Sequence, residues 1–313
     1  MTVQIINADV LDGLHRLVDG SVQCCITSPP YWGLRDYGVE GQIGLERTPE
    51  EYVARLVEVF REVRRVLRDD GTLWLNLGDS YNGSGGAGGD YGPGGLKEGQ
   101  PKYPGRHIMA LKPKDLVGIP WRVAFALQDD GWYLRSDIIW HKPNPMPESV
   151  RDRPTKAHEY MFLLAKSRKY YYDADAVREP CTGAGWAKSH ADKAGHGNGA
   201  TGHDIRFGCH PLGRNRRDVW TIPTRPYKGA HFATFPPALV EPCLLAGSRQ
   251  GDTILDPFGG SGTVGAVATA HGRDAVLIEL NPEYISLIEE RIAETRERIH
   301  GLQGQTTLLE ASE

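Results

Sequence analysis

The sequence predicts an α/β fold built on an open, mostly parallel sheet, and three observations lead there. Near one end, Thr253-Ile254-Leu255-Asp256-Pro257-Phe258-Gly259-Gly260-Ser261-Gly262-Thr263 reads as an apolar strand, a glycine turn and a helix start. Near the other, Val22-Gln23-Cys24-Cys25-Ile26 reads as a short buried strand, stopped by Pro29-Pro30, which fix φ and donate no hydrogen bond. Between the two, strand-like and helix-like stretches alternate, as expected of a sheet covered by helices.

Taken in order, Thr2-Val3-Gln4-Ile5-Ile6 supplies a strand closing at Asn7-Ala8-Asp9, and Leu11, Leu14 and Leu17 space a helix. Thr48-Pro49-Glu50-Glu51 starts a second helix with a capping hydroxyl, a proline at the first position and a glutamate three residues after the cap. Val53, Leu56, Val57, Phe60, Val63 and Leu67 give that helix one apolar stripe, and Asp69-Asp70-Gly71 is expected to end it. Strands are expected over residues 72–77, 133–140 and 158–164, with a helix over 120–127. After the glycine turn come a helix to Ala270, a strand Ala275-Val276-Leu277-Ile278 ending in Glu279, and a helix over 284–299 carrying Ile285, Ile288, Ile292 and Ile299 on one side.

At 313 residues the chain suits one large α/β domain with an insertion, or two smaller ones. Five cysteines without regular spacing argue against a disulfide framework, and no basic start followed by a long apolar run suggests a signal peptide. A cytoplasmic protein with no membrane partner is expected. The net charge of −4 argues against non-specific coating of nucleic acid but leaves room for a local basic face.

The acid some 20 residues beyond a glycine loop fits dinucleotide binding, and Gly260, Gly262 and Gly265 satisfy G-x-G-x-x-G formally. Asp256 within the loop argues otherwise. A carboxylate there repels a pyrophosphate at a helix N-terminus but suits a cationic ligand. The crevice expected at Ser28-Pro29-Pro30-Tyr31 suits a flat, polar, aromatic ligand, with Ser28 and a proline carbonyl accepting from an amino group and Tyr31 stacking on the ring.

These two motifs carry a resemblance. Thr27 to Tyr31 resembles the S/D/N-P-P-Y/F catalytic motif of the DNA amino-methyltransferases, and Asp256 to Thr263 resembles their D-P-F-x-G-S-G-T motif for S-adenosylmethionine. His231-Phe232-Ala233-Thr234-Phe235-Pro236 is similar to the family's H-x-x-x-F-P segment at the methionine end of the cofactor. The order of catalytic motif, then target-recognition region, then cofactor motif resembles the β group, over most of residues 1–299. The resemblance implies a circularly permuted, Rossmann-like methyltransferase fold: a catalytic half over 1–172, a target-recognition region over 173–228 and a cofactor-binding half over 229–313.

It further implies a catalytic set of Ser28, Pro29, Pro30 and Tyr31. The implied cofactor contacts are Asp9, His231, Phe235, Asp256, Phe258, Gly260, Gly262, Thr263 and Glu279, with Asp9 at the adenine amino group and Glu279 at the ribose. Ser before Pro-Pro favours cytosine N4 in this family, with adenine N6 the alternative. The target amino group is paired in duplex DNA, so the base must flip out. A separately acting restriction endonuclease is compatible with such an enzyme, as is either a monomer or a homodimer.

Residues 206–228 hold Arg206, Arg214, Arg216, Arg217, Arg225 and Lys228 against the single acid Asp218, so Arg214, Arg216, Arg217, Arg225 and Lys228 are expected to contact DNA phosphates or guanine edges. Residues 82–99, with nine glycines in 18 positions, open a loop (82–110) that reads either as a plain linker or as a segment ordering over DNA. Cys181, His190, His196, His203, Cys209 and His210 match no common zinc spacing, so no metal is expected. Two other classes stay open. A non-catalytic DNA-binding protein keeps the basic stretch but needs neither Ser28 nor Asp256. An RNA or protein methyltransferase keeps the cofactor motif but gives no reason for the permuted order.

Overall fold

Among the described residues, eight strands form one sheet in the order β1-β8-β7-β2-β3-β5-β4-β6. They are β1 (Val3–Asn7), β2 (Val22–Thr27), β3 (Leu67–Leu77), β4 (Tyr133–His141), β5 (His158–Ala165), β6 (Val219–Thr221), β7 (Thr253–Asp256) and β8 (Asp274–Glu279). The helices are α1 (Val10–His15), α2 (Pro49–Val66), α3 (Ile119–Asp129), α4 (Pro237–Gly247), α5 (Thr263–Ala270) and α6 (Glu283–Glu310). The computed structural model describes residues 1–34, 36–83, 111–181, 210–224 and 236–310, with side chains to residue 299.

The permuted order expected from the resemblance is the order observed. β1 pairs in parallel with β8, Val3 opposite Ala275 through Asn7 opposite Glu279, so the start of the chain extends the sheet that its end leaves open. β7 lies parallel to β8 on one side and to β2 on the other. From β7 the connections run outward both ways, which makes the β7–β2 boundary the switch point where open α/β sheets bind ligands. Beyond β3, the antiparallel β5 and β4 and the short β6 complete the sheet.

Two apolar layers cover the sheet, and strand alternation decides which side chain goes where. Cys25, Leu73 and Leu75 face the layer of α1, α2 and α3 with Leu14, Leu56, Phe60 and Val123. Cys24, Ile26 and Trp74 face the layer of α4, α5 and α6 with Leu244, Val264 and Ile288. Every residue of β2 is buried, as expected of a central strand.

One local expectation needs correction, and two elements were not anticipated. α2 ends at Val66 and β3 begins at Leu67, so Leu67 and the Asp69-Asp70-Gly71 run belong to the strand rather than to a helix end. α4 was not anticipated, because it is apolar on all sides and carries Pro242 inside, which hides a 3.6-residue period. β6, within the stretch assigned to target recognition, pairs with β4 through Trp220 opposite Trp140. Cys181 is disulfide-bonded, while Cys24, Cys25 and Cys243 are free and buried. No described helix is long and apolar enough to cross a membrane.

Candidate active site

Asp256 ends β7 and faces the interior, only 1% exposed. Its Oδ1 accepts from the Phe258 backbone at 3.1 Å, which sets the turn into the glycine loop. Gly260 and Gly262 adopt φ of +50° and +74°, where a side chain is strained. A Cβ on Gly262 would also stand 3.0 Å from Ile288 of α6, so only glycine lets the loop lie on that helix.

Glu279, at the end of β8, closes the loop from the neighbouring strand. One oxygen accepts from Gly260 N at 2.7 Å and the other from Asn281 N at 2.8 Å. Asn7 of β1 donates to the Glu279 carbonyl at 2.8 Å, and Asp9 accepts from Leu11 N as the cap of α1. Phe258 is half-buried. Thr263 is buried, and its hydroxyl accepts from Arg291 at 2.8 Å. Arg291 also donates to Ser261 Oγ at 2.8 Å, so a side chain of α6 clamps the loop from behind. His231 and Phe235 lie outside the described residues.

Burial pushes the Asp256 carboxyl up to about 8, and the charge of Glu279 adds to the rise, against the Thr27 and Phe258 hydrogen bonds that oppose it. Burial also raises Glu279, against the backbone donors of Asn281 and Gly260. Both acids are held where a nearby cation restores their charged forms.

The second half of the crevice is the end of β2. Thr27 donates from Oγ1 to Asp256 Oδ1 at 2.7 Å, a buried link between residues 229 positions apart that ties the two motifs into one site. Ser28 is half-buried at the lip. The Pro30 carbonyl accepts from the Tyr52 hydroxyl at 2.8 Å, and α2 thereby braces the turn. No described residue donates to the Pro29 carbonyl.

Tyr31 is half-buried, with its ring against Gly78, where a Cβ would come within 2.5 Å of the ring carbon Cε2. Its hydroxyl donates to Glu159 Oε2 at 2.7 Å and lies 3.1 Å from Asn76 Oδ1 and 3.5 Å from Ser28 Oγ. Burial, then the Glu159 charge, holds the Tyr31 phenol well above its usual range. The Lys142 ammonium pairs with the other oxygen of Glu159. Asn76 donates to that carboxylate at 3.3 Å and to the Tyr160 carbonyl at 3.0 Å.

Asn76, Lys142 and Glu159 were missed in the sequence. A signal existed for Asn76, a polar residue inside an apolar strand and only 1% exposed. Asp79, also unanticipated, accepts from Gly118 and Ile119 and caps α3 from outside.

The basic stretch is less free than its composition suggests. Glu179, outside the window in which only Asp218 was counted, pairs with Arg214 and Arg217, each at 3.1 Å. Arg216 lies over the Trp220 ring at 4.6 Å, with its Nε buried. Arg217 stays 66% exposed and keeps its access to a ligand. Arg225 and Lys228 lie outside the described residues, as does most of loop 82–110. The described residues on either side of it lie together, with Asn82 bonded to Leu111 and Asp115 and Tyr81 bridging Leu116. His190, His196, His203 and Cys209 are also outside the described residues.

A family profile described as DNA methylase matches residues 22–290. The Type II methyltransferase M.XycI of Xanthomonas campestris pv. cyanopsidis is 52% identical over 92% of this chain and 87% of its own length. M.SmaI of Serratia marcescens, likewise a Type II methyltransferase, is 50% identical over 94% of this chain and 91% of its own. Among solved structures, PvuII DNA methyltransferase (cytosine-N4-specific) shares the fold with a TM-score of 0.63 at 18% identity, over 96% of this chain and 93% of its own. TTHA0409 of Thermus thermophilus, crystallised with S-adenosyl-L-methionine, gives 0.59 at 23% identity, over 94% and 96%.

Proposed function

This chain belongs to the DNA methylase family of the N6/N4 type, and we propose that it moves a methyl group from S-adenosylmethionine to the exocyclic N4 of a cytosine flipped out of duplex DNA. The observation that carries the reading is Ser28, a neutral acceptor at the end of β2, one residue beyond the Thr27–Asp256 bond to the glycine loop. The Type II names of the relatives support a separately acting restriction endonuclease as the partner of this reading.

The loop suits the methyl donor. Two carboxyls raised by burial favour a cationic ligand, and the glycines leave room for close approach. Gly260, Gly262, Phe258 and Asp256 would surround it, with Glu279 at the ribose hydroxyls, Asp9 at the adenine amino group, and His231 and Phe235 at the methionine end. Once bound, it supplies an electrophilic methyl on a sulfonium.

The work of this chain is on the amino group. That nitrogen is a poor nucleophile because its lone pair delocalises into the ring. Ser28 Oγ accepts one amino hydrogen. The Pro30 carbonyl is already engaged by Tyr52, so the second acceptor is the Pro29 carbonyl. Two fixed acceptors draw the nitrogen toward tetrahedral geometry, and in-line placement supplies much of the rate. Tyr31 offers an aromatic face to the flipped base. Cys24 and Cys25 are not nucleophiles, for both are fully buried and burial raises both thiols.

Incubation with methyl-labelled S-adenosylmethionine tests this reading. Label should pass to duplex DNA, and label in RNA or protein alone would refute it. Two variants probe the surroundings. Gly78→Ala should crowd the Tyr31 ring at an overpacking cost of about 1–3 kcal/mol. Methylation should fall with the fold retained by circular dichroism, whereas undiminished turnover would show that the ring can move freely. Arg217→Ala should weaken DNA binding and lower the slope of log K against log salt by about one. An unchanged slope would mean that this arginine touches no phosphate.

A further inference from the structure

We propose that the Tyr31 hydroxyl and Glu159 form the exit route for the proton that the target amino group sheds on methylation. The proposal rests on methyl transfer to an amino nitrogen and adds a residue pair with its own role. An amino group has two hydrogens, and the methylated product keeps one. As the nitrogen lone pair forms the N–C bond, the S–C pair returns to sulfur, and the nitrogen is left with a positive charge and a surplus proton. Some group must take it.

The geometry supplies a directional chain. Tyr31 donates its only hydroxyl proton to Glu159 at 2.7 Å, which leaves the phenol oxygen as an acceptor. Ser28 points its own proton at that oxygen from 3.5 Å, which leaves Ser28 lone pairs for the amino hydrogen. A contact of that length is expected to shorten in the reactive complex. One shift along the chain then moves an amino proton to Ser28, the Ser28 proton to Tyr31, and the Tyr31 proton to Glu159 Oε2. Both hydroxyls end with one proton each, the carboxylate becomes a carboxylic acid, and the product nitrogen is neutral. Release of the Glu159 proton to water after the product leaves resets the site.

The surroundings fit a terminal acceptor. The Glu159 and Lys142 side chains are only 16% and 18% exposed, so bulk water is a poor rival for the proton. The Lys142 ammonium pairs with one oxygen of the carboxylate and Asn76 donates to the other, which fixes its orientation. The titratable groups facing Glu159 are Tyr31 from the loop after β2, Lys142 beyond β4, and Lys156 and His158 from its own approach; Asn76 of β3 is neutral. Tyr31 thereby does more than stack: its ring serves base capture and its hydroxyl serves the chemistry.

Single-turnover methylation of duplex DNA, with enzyme preloaded with S-adenosylmethionine, tests the route in wild type, Tyr31→Phe, Glu159→Gln and Glu159→Asp. Tyr31→Phe keeps the ring and should bind DNA as wild type does, while the rate falls by about a hundredfold, the scale of general acid–base assistance. Glu159→Gln should slow the step similarly, and Glu159→Asp should restore part of the rate. Tyr31→Phe at the wild-type rate overturns the route, as does a Glu159→Asp enzyme no faster than Glu159→Gln, which marks a merely structural role. A wild type that methylates no DNA base overturns the methyl-transfer reading itself and the route with it.

Discussion

Ser28→Ala should slow the chemical step by about two to three orders of magnitude, the cost of removing one preorganised hydrogen-bonding group from a transition state. The substitution is clean. Ser28 is half-buried, and its hydroxyl has one long contact, to Tyr31 at 3.5 Å, so the fold loses little. Pro29 and Pro30 still fix the turn, and Tyr52 still braces the Pro30 carbonyl. Cofactor affinity should hold, because the bonds of Asp256 and Glu279 to the glycine loop are untouched. DNA affinity should hold as well, since most of it comes from phosphate contacts. Single-turnover rates at saturating cofactor and DNA separate these effects. A Ser28→Ala enzyme turning over at the wild-type rate would remove the two-acceptor mechanism.

Asp256→Ala should abolish S-adenosylmethionine binding in calorimetry. It removes the one acceptor that serves both Thr27 and Phe258 N at a site 1% exposed, at about 0.5–1.5 kcal/mol for each hydrogen bond. Asp256→Asn separates charge from shape. The buried carboxyl is pushed up to about 8, so near neutral pH it is largely protonated before a ligand binds, and a cationic ligand must draw the proton off. Wild-type affinity should therefore rise with pH and level off above about 8, by up to about tenfold per unit below that point. Stability runs the opposite way. The folded pKa exceeds the ordinary 3.8, so the folded state binds the extra proton, and this contribution is lost as pH rises from 3.8 through about 8. In Asp256→Asn the part of both dependences owed to this carboxyl should vanish, leaving the part owed to Glu279. Titrations and thermal melts from about pH 6 to 9, spanning that shifted value, check them. A flat wild-type affinity would detach Asp256 from the ligand.

How far the sequence reached depended on whether the information was local. The strand, glycine loop, helix and strand-terminal acid from Thr253 to Glu279 form one continuous unit, so spacing alone set their order. The closing of the sheet by β1 followed because residues 2–6 read as a strand and an open sheet has an edge to fill. The residues that hold the site were not legible because their partners are far apart in the chain. Tyr31 meets Glu159 across 128 positions and Thr27 meets Asp256 across 229, and no periodicity encodes such pairs. Arg291 looked like one more charge on the outer face of a helix, yet it clamps Ser261 and Thr263. The acidic partner of the basic stretch was hidden for the same reason. Glu179 lies 35 positions from Arg214 and 38 from Arg217, beyond any window in which charge is counted.

The most direct test of the cytosine assignment is the identity of the modified nucleoside. Duplex DNA is incubated with the enzyme and methyl-labelled S-adenosylmethionine, digested to nucleosides and separated by mass. Label should appear in N4-methylcytosine, and should be absent when Ser28→Ala replaces wild type over the same short incubation. Label in N6-methyladenine would contradict the assignment of Ser28 to cytosine, and DNA without label would contradict the site itself.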